Sequence, residues 1–358
     1  MLNSTNNFFA SAPARICLFG DHQDYLELPV IASAINKFII VRGTKNKTKK
    51  IHFNLLDLND KVEIDIDDIS SKPRKGDHLR FVLYTLNKLG CNINSGMNIN
   101  VSSDIYINAG ISSSSALIVC MVDFFIKSFG FPKKVDRKLI AEIAYRCEVL
   151  EQKGSGGRMD QYTIALSNTI FLDTKLNGGF ELLDVPFDNL IIANSGVKKS
   201  TDLVLSKLKN EAISVISKIK KIDKSFDVKN VSQSQLASYN NSLCKRSLEI
   251  LFATVQNYKI TIDAYNELKK EKPSLDFLIK KLNDHHQILK NNLKITVPKI
   301  DNMILQSIRA GALGAKVIGS GGGGSILVIT EKNTEKNVIE SLFKSGSTQV
   351  DKVKILKN

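Results

Sequence analysis

Apolar side chains recur with two different periods along the first 110 residues. Residues 14–19, 29–43 and 49–66 are rich in β-branched side chains and predict strands. Residues 77–90 repeat apolar side chains at helical spacing and end on a glycine, which predicts a helix with a glycine C-cap. Residues 96–107 alternate apolar and polar positions and predict another strand. The chain therefore begins as a β-rich unit.

The pattern becomes helical further along. A small polar loop at residues 108–116 opens a long apolar helix, and residues 135–152 predict another helix before a glycine-rich turn. Long amphipathic helices follow from about residue 200 to residue 290, and a helix, a strand, a glycine loop and a strand come after them. We therefore predict two domains, residues 1–190 and residues 191–358.

The composition is that of a globular protein. Of 358 residues, 43% are hydrophobic and 24% are charged, and no apolar run reaches the ~20 residues needed to span a bilayer. The first fifteen residues lack the basic start and the apolar core of a signal peptide. The five cysteines lack CxxC spacing, which favours reduced thiols over a zinc site. We therefore expect a cytoplasmic protein with no membrane partner.

The formal net charge of +14 suits either a nucleic acid or an anionic small molecule as the partner. The lysines are spread over helical segments such as "SKLKNEAISVISKIKKIDK", and the sequence has no compact arginine-rich or aromatic-interleaved patch. This distribution favours solvated surface lysines and an anionic substrate, with nucleic-acid binding as the minor alternative. We therefore expect no nucleic-acid partner.

Two segments have the composition of phosphate-binding loops. In "NAGISSSSALIVC", small residues precede an apolar helix, so free backbone N–H groups and the helix dipole meet at one point. Gly110 permits close approach, the serines at 112–115 add hydroxyl donors, and a serine hydroxyl can ligate Mg²⁺. A serine-rich N-cap is the plainer alternative. In "GSGGGGSILVI", five of the residues 319–324 are glycine, which favours a ligand-shaped loop over a flexible hairpin.

Several carboxylates are further candidates for binding a metal or a substrate hydroxyl. In "CEVLEQKGSGGRMDQY", Glu148 lies on a predicted helix and Asp160 lies beyond a glycine turn. One of them can hold Mg²⁺ while the other orients an attacking hydroxyl; an exposed glutamate and a turn aspartate are the alternative. In "FGDHQDY", Asp21, His22 and Asp24 suit either a metal or a polyhydroxylated ligand. Adjacent residues of a strand point to opposite sides, and no partner cysteine or histidine stands out, so we favour hydroxyl binding.

These segments together resemble the motifs of the GHMP kinase superfamily, which comprises galactokinase, homoserine kinase, mevalonate kinase and phosphomevalonate kinase. "APARICLFGDHQDY", "NAGISSSSAL" and "GSGGGGS" are similar to its first, second and third motifs, and the resemblance covers nearly the whole chain. It implies an α+β fold with two lobes, an N-terminal ribosomal-S5-like domain and a C-terminal ferredoxin-like α/β domain. The active site is then expected between the two domains.

The motifs also bear on the branch of the superfamily. "FGDHQDY" and "GGRMDQY" are similar to galactokinase patterns, and Arg15 stands where mevalonate kinases carry lysine. By contrast, "AGALGAKVIGSGGGGS" is closer to the mevalonate kinase third motif, and Asp21 and Gln23 replace the usual Glu and Thr. The resemblance implies a galactokinase-like kinase that transfers the γ-phosphoryl group of ATP to a sugar hydroxyl, most often the anomeric one. A mevalonate or isoprenoid-alcohol kinase and a catalytically silent regulator that senses sugar and ATP are the alternatives.

The resemblance further implies roles for individual residues, with ATP and Mg²⁺ as cofactors. Asp160 orients the acceptor hydroxyl and takes its proton, while Arg15 keeps Asp160 ionised and stabilises the transferring group. Acceptor contacts are implied for Asp21, His22, Asp24 and Gly157, and Mg²⁺ ligands for Ser114 and Glu148. ATP contacts are implied for Ala109, Gly110, Ser112, Ser113, Ser114, Ser115, Gly321, Gly322 and Gly323. His286 resembles a family histidine, but we favour a surface histidine there.

Overall fold

The computed structural model describes residues 7–198 and 201–357; residues 1–6, part of the segment without signal-peptide features, lie outside it. The strands of the N-terminal half form one seven-stranded sheet. They are β1 (Asn7–Phe19), β2 (Val30–Lys45), β3 (Lys50–Leu55), β4 (Asp60–Asp65), β5 (Met97–Ser103), β6 (Thr169–Leu172) and β7 (Phe180–Leu182). Their order across the sheet is β4-β3-β5-β2-β6-β7, and β1 pairs antiparallel with β2.

Strand β1 carries the continuous apolar run "ARICLF", and its second half is buried without alternation. Burial is continuous because helices from both halves of the chain pack against this strand. The strand ends at Phe19, and Gly20 turns the chain out of the sheet with a left-handed φ of 96°. This exit brings residues 20–26 to the cleft between the two halves.

One predicted strand is wrong in its extent. Residues 49–66 form a hairpin of β3 and β4 rather than a single strand. A 3₁₀ turn at Leu56–Leu58 reverses the chain, and Asn59 follows it with a left-handed φ of 49°. The turn has neither glycine nor proline, so the β-branched composition of its two arms concealed it.

The helices of the N-terminal half are α1 (His78–Lys88), α2 (Ser113–Phe129), α3 (Arg137–Tyr145) and α4 (Met159–Leu166). Asp77 caps α1 by accepting a hydrogen bond from the backbone N of Arg80 at 3.1 Å, and Gly90 follows the helix with a φ of 91°. The predicted helix and its glycine C-cap are therefore confirmed. After α3 the chain widens into a π-helical segment, Arg146–Leu150, before the glycine-rich turn.

The C-terminal half forms a four-stranded antiparallel sheet in the order β11-β8-β10-β9. Its strands are β8 (Leu190–Asn194), β9 (Ala312–Val317), β10 (Ser325–Thr330) and β11 (Gln349–Val353). Its helices are α5 (Thr201–Ile222), α6 (Gln233–Ser238), α7 (Lys245–Leu268), α8 (Leu275–Gln287), α9 (Pro298–Arg309) and α10 (Glu335–Lys344). A strand, helices, two strands, a helix and a last strand in this order form the ferredoxin-like arrangement. The predicted α+β fold class is confirmed.

Two hydrophobic clusters meet between the sheets. The first joins the strands of the N-terminal sheet to side chains of α7 and α8, such as Ile260 and Leu282. The second joins the C-terminal sheet to α5, α7 and α9, with side chains such as Val215 and Met303. Because α7 contributes to both clusters, it fixes the two sheets against each other.

The first sheet ends at Leu182 and the second begins at Leu190. The division into residues 1–190 and 191–358 stays a prediction. No helix in the described part of the chain is long and apolar enough to cross a bilayer.

Candidate functional site

A cavity of about 600 Å³ opens between the two sheets. The exit of β1, the start of α2, the π-helical segment, the start of α4 and the loop after β9 surround it. The predicted site residues in its lining are Arg15, Asp21, His22, Asp24, Gly110, Ser112, Ser113, Ser114, Ser115, Glu148, Gly157 and Asp160. Four other predicted residues, Ala109, Gly321, Gly322 and Gly323, are not part of the lining.

Arg15 and Asp160 form a bidentate ion pair at the floor of this cavity. Arg15 Nε lies 2.7 Å from Asp160 Oδ1, and Arg15 Nη2 lies 2.9 Å from Asp160 Oδ2. The third guanidinium nitrogen donates to the carbonyl of Gly110 at 2.8 Å. The Arg15 side chain is 6% exposed and the Asp160 side chain 25%, so the carboxylate is the partner that faces the cavity. Asp160 lies beyond the glycine turn, in the first turn of α4, so the alternative of a turn aspartate is wrong.

The loop before α2 passes through three left-handed residues, Asn108, Gly110 and Ser112, with φ values of 56°, 90° and 62°. Such a conformation gathers backbone N–H groups into a concavity, here at the N-terminus of a 17-residue helix. Ser112 Oγ donates to Asp160 Oδ2 at 2.5 Å, and Ser115 Oγ lies 3.4 Å from the same oxygen. The loop before α2 and the Asp160 carboxylate are therefore in direct contact.

Glu148 lies in the π-helical segment, which is a common location for functional side chains. Its Oε1 accepts from Ser114 Oγ at 3.0 Å, and its Oε2 accepts from Gln161 Nε2 at 2.6 Å. Burial and, after it, the negative charge of Asp160 raise the pKa of Glu148. This pair of oxygen donors beside the loop suits a hard dication.

Asp24 begins a 3₁₀ turn, Asp24–Leu26, and its Oδ1 accepts from the backbone N of Tyr25 at 2.9 Å. Gly157 packs so closely against it that a Cβ at this position would overlap the Asp24 carboxylate. Burial, followed by the negative charge of Asp160, raises the pKa of Asp24 to about 6. Two carboxylates therefore approach the same part of the cavity.

Asp21 and His22 lie in the 20–26 turn rather than in a strand, so the expectation that they point to opposite sides of a sheet does not apply. The Asp21 carboxylate is 1% exposed and forms an ion pair with Lys316. His22 Nδ1 lies 3.2 Å from Tyr25 Oη, and His22 Nε2 lies 3.1 Å from the carbonyl of Ser320. Within residues 7–198 and 201–357, no three His, Cys, Asp or Glu side chains are grouped as a metal site.

The glycine loop after β9 meets the cavity through Gly319 and Ser320 instead of its later glycines. A Cβ at Gly319 would stand 2.7 Å from the carbonyl oxygen of Gly110, so only glycine lets the two loops touch. Gly322 N donates to the carbonyl of Ile295 at 2.7 Å, and a Cβ at Gly323 would stand 2.5 Å from the carbonyl oxygen of Val197. The later glycines therefore serve close packing within the C-terminal half, and a phosphate contact for them stays a prediction.

Several lining residues were not found from the sequence. Gln152 lines the cavity wall near α1. Its side chain accepts a hydrogen bond from Gly76 N at 3.0 Å and donates one to the Cys147 carbonyl at 3.0 Å. Lys75 and His78 line the same wall. These residues carry no motif, and only the packing of α1 against the π-helical segment brings them to the cavity.

The surface position expected for His286 is wrong. His286 is 3% exposed and His285 is fully buried, because α8 packs against β9 and, less extensively, against β1. Burial lowers the pKa of His286 to about 4. All five cysteines are free thiols, and four of them are buried.

Family models match three parts of the chain. The GHMP kinases N terminal domain matches residues 78–168, and the GHMP kinases C terminal model matches residues 265–348. The chain belongs to the GHMP kinase superfamily. A galactokinase galactose-binding signature matches residues 2–45, a span that holds Arg15 and the 20–26 turn. This GHMP kinase is therefore assigned to the galactokinase-like branch.

Curated relatives extend over nearly the whole chain. The galactokinase of Thermotoga maritima is 27% identical over 93% of this chain and 92% of that protein. The mevalonate kinase of Thermococcus sibiricus is 24% identical over 91% of this chain and 90% of that protein. Both lobes of the GHMP kinase therefore have counterparts in these proteins.

Solved structures share the fold. The Lactococcus lactis galactokinase, crystallised in complex with galactose, has a TM-score of 0.86 at 18% identity and covers 98% of this chain and 94% of that chain. The Methanococcus jannaschii mevalonate kinase has a TM-score of 0.74 at 21% identity and covers 99% of this chain and 100% of that chain. At these identities the likeness is one of fold.

Proposed function

We propose that this protein is an ATP-dependent sugar kinase that transfers the γ-phosphoryl group of ATP to a sugar hydroxyl. The anomeric hydroxyl of galactose is the first candidate acceptor. The observation that carries the proposal is the bidentate pair of Arg15 and Asp160, set between the loop before α2 and Asp24. The galactose-binding signature and the galactokinases among the relatives support a sugar as the acceptor.

The loop before α2 is the proposed binding site for the phosphates of ATP. Its left-handed residues and the helix N-terminus provide backbone N–H donors and a positive electrostatic potential. The hydroxyls of Ser113 and Ser114 add donors from the first turn of the helix. Phosphoryl transfer depends mostly on positioning and charge neutralisation, so a rigid loop of this kind supplies much of the required chemistry.

Ser114 and Glu148 would hold Mg²⁺. They fit this ion because both present oxygen atoms to the cavity beside the proposed phosphate site. Burial and, after it, the negative charge of Asp160 raise the pKa of Glu148. A neighbouring dication would favour the ionised carboxylate and so lower this pKa. When bound, Mg²⁺ neutralises charge on the phosphate oxygens.

Asp160 is the proposed proton acceptor. The acceptor oxygen attacks the γ-phosphorus, the bond from this phosphorus to the β,γ-bridging oxygen breaks, and ADP leaves. Asp160 takes the hydroxyl proton, and the paired Arg15 fixes its carboxylate and places positive charge beside the transferring group. Asp24 accepts a hydrogen bond from a second hydroxyl of the sugar, beside the backbone of Gly157 that packs against its carboxylate.

The test is a panel of acceptors incubated with the purified protein, ATP and Mg²⁺. The panel contains galactose, glucose, galacturonate, galactosamine and mevalonate, and phosphorus NMR identifies the phosphorylated position. We expect galactose 1-phosphate as the main product. Phosphorylation of mevalonate and of no sugar would refute the sugar assignment, and ADP binding without turnover of any acceptor would identify a catalytically silent relative.

A further inference from the structure

Gln161 follows the proposed proton acceptor in the first turn of α4 and lines the cavity. The residue is 2% exposed, and its Nε2 donates to Glu148 Oε2 at 2.6 Å. An ionised carboxylate only accepts hydrogen bonds, so this contact fixes which end of the Gln161 amide is the nitrogen. The other end, Oε1, is therefore an acceptor.

The Oε1 atom of Gln161 is buried and has no hydrogen-bond partner among residues 7–198 and 201–357. Leaving a buried amide oxygen without a donor is costly. Because Gln161 belongs to the cavity lining, we expect its oxygen to receive a donor that enters the cavity together with a ligand.

The ligand chemistry restricts what this donor can be. Phosphate oxygens are strong acceptors, so the phosphates of ATP do not satisfy a second acceptor. A divalent cation brings donors with it, because Mg²⁺ keeps several of its water molecules when it binds to carboxylates and phosphates. A bound cation also lowers the pKa of its water, which makes that water a stronger hydrogen-bond donor.

Gln161 also orients a proposed ligand of this cation. Ser114 Oγ donates to Glu148 Oε1 at 3.0 Å, so Ser114 and Gln161 hold the two oxygens of the Glu148 carboxylate from different sides. Because Gln161 occupies Oε2, the oxygen beside Ser114 is the one left for a cation. Hydrogen bonds of this kind orient ligating carboxylates in metal sites.

We propose that Gln161 is a positioning residue for the divalent cation: its amide nitrogen orients the Glu148 carboxylate, and its amide oxygen accepts a hydrogen bond from a water molecule on the cation. This inference rests on the proposed function, because it takes Ser114 and Glu148 as the metal ligands. Asp160 and Gln161 are adjacent in α4, so one turn of helix serves both proton transfer and metal binding.

Binding of Mn²⁺ in the presence of ADP tests this inference without any turnover. Mn²⁺ accepts the same oxygen ligands as Mg²⁺, and the electron paramagnetic resonance signal of free Mn²⁺ gives its Kd. Gln161→Met keeps a side chain of similar length but removes both polar groups. We expect the Kd for Mn²⁺ to rise at least about tenfold, while the Kd for ADP, measured by calorimetry without metal, stays within about twofold.

A second variant and a matched control accompany this measurement. Gln161→Asn keeps the amide but draws it back by one methylene, so it should lose Mn²⁺ affinity as well, and it replaces Gln161→Met if that variant does not fold. Gln235 Nε2 donates to Asp223 Oδ2 at 2.8 Å, which is the same kind of bond outside the cavity. Gln235→Met should therefore keep the wild-type Kd for Mn²⁺.

Steady-state kinetics separate this role from a direct contact with the acceptor. At saturating Mg²⁺, the kcat and the KM for galactose of Gln161→Met should stay within about threefold of wild type. Wild-type Mn²⁺ affinity in a folded Gln161 variant, with or without a raised KM for galactose, would overturn the inference. Mn²⁺ binding with ADP needs no acceptor, so this result does not depend on which alcohol is phosphorylated. Wild-type protein that binds no Mn²⁺ with ADP would overturn the proposed metal site, and this inference with it.

Discussion

Replacing Asp24 with asparagine should stabilise the fold and weaken acceptor binding at the same time. Burial and the neighbouring Asp160 raise the pKa of Asp24 from 3.8 to about 6, so its ionised form is less favourable in the folded than in the unfolded chain. The stability that the protonated form provides is present in full below pH ~4 and is lost as the pH rises through about 6. The asparagine side chain is neutral at every pH of this range, so the substitution removes this pH dependence.

The magnitude follows from the pKa values. A rise from 3.8 to about 6 corresponds to about 3 kcal/mol, at about 1.4 kcal/mol for each pKa unit. The carboxylate borders a solvated cavity, and screening there reduces the effect. We therefore expect Asp24→Asn to raise the free energy of unfolding by roughly 1–2 kcal/mol at pH 7.5 and by about a third of that at pH 4.5.

Urea denaturation of both proteins at the two pH values measures this difference. The exposed Asp188→Asn is the matched control, and it should show no such pH-dependent gain. In parallel, wild-type kcat/KM for galactose should rise with pH through about 6, and the inflection should be absent from Asp24→Asn. A gain in stability that is equal at both pH values, or a loss at pH 7.5, would refute the electrostatic reasoning.

Three further predictions concern the remaining parts of the site. Glu148→Gln should raise the Mg²⁺ concentration needed for half-maximal activity at least about tenfold, because a neutral amide oxygen replaces the charged carboxylate ligand; an unchanged Mg²⁺ titration would contradict this. Gly157→Ala should raise the KM for galactose, because the new Cβ overlaps Asp24, whereas a Cβ at the neighbouring Gly156 would meet only Val149 Cγ2 at 3.9 Å; equal KM values for the two alanine variants would oppose the assignment. Arg15→Lys should lower kcat by roughly 10²-fold, because lysine cannot form the paired bonds to the carboxylate; a steady-state assay that finds wild-type kcat would exclude this role.

The sequence predicted those parts of the fold and site that depend on local pattern. The helix at α1 was found because its cap, its apolar spacing and Gly90 are adjacent in the chain. The loop before α2 was found for the same reason, since small residues and an apolar helix lie side by side. Asp160 stood out because it follows an unusual glycine turn.

Other features depend on contacts between distant residues. Lys316 and Asp21 are separated by 295 positions, and nothing near Lys316 in the sequence indicates a buried ion pair. The burial of His286 depends on how α8 packs against β9 and β1, and the role of Gly319 depends on a loop more than 200 residues earlier. The β3–β4 turn was missed for a different reason, because its Asp57 and Asn59 stand among leucines between two strand-like arms, with no glycine or proline to mark a break.

Turnover of galactose by Asp160→Asn is the sharpest test of Asp160 as the proton acceptor. Asparagine keeps an oxygen acceptor for the buried Arg15 but cannot take the hydroxyl proton at neutral pH. We expect kcat to fall by roughly 10²–10⁴-fold, while the Kd for ADP, measured by calorimetry, stays close to that of the wild type. A variant that binds ADP normally and phosphorylates galactose at the wild-type rate would contradict it.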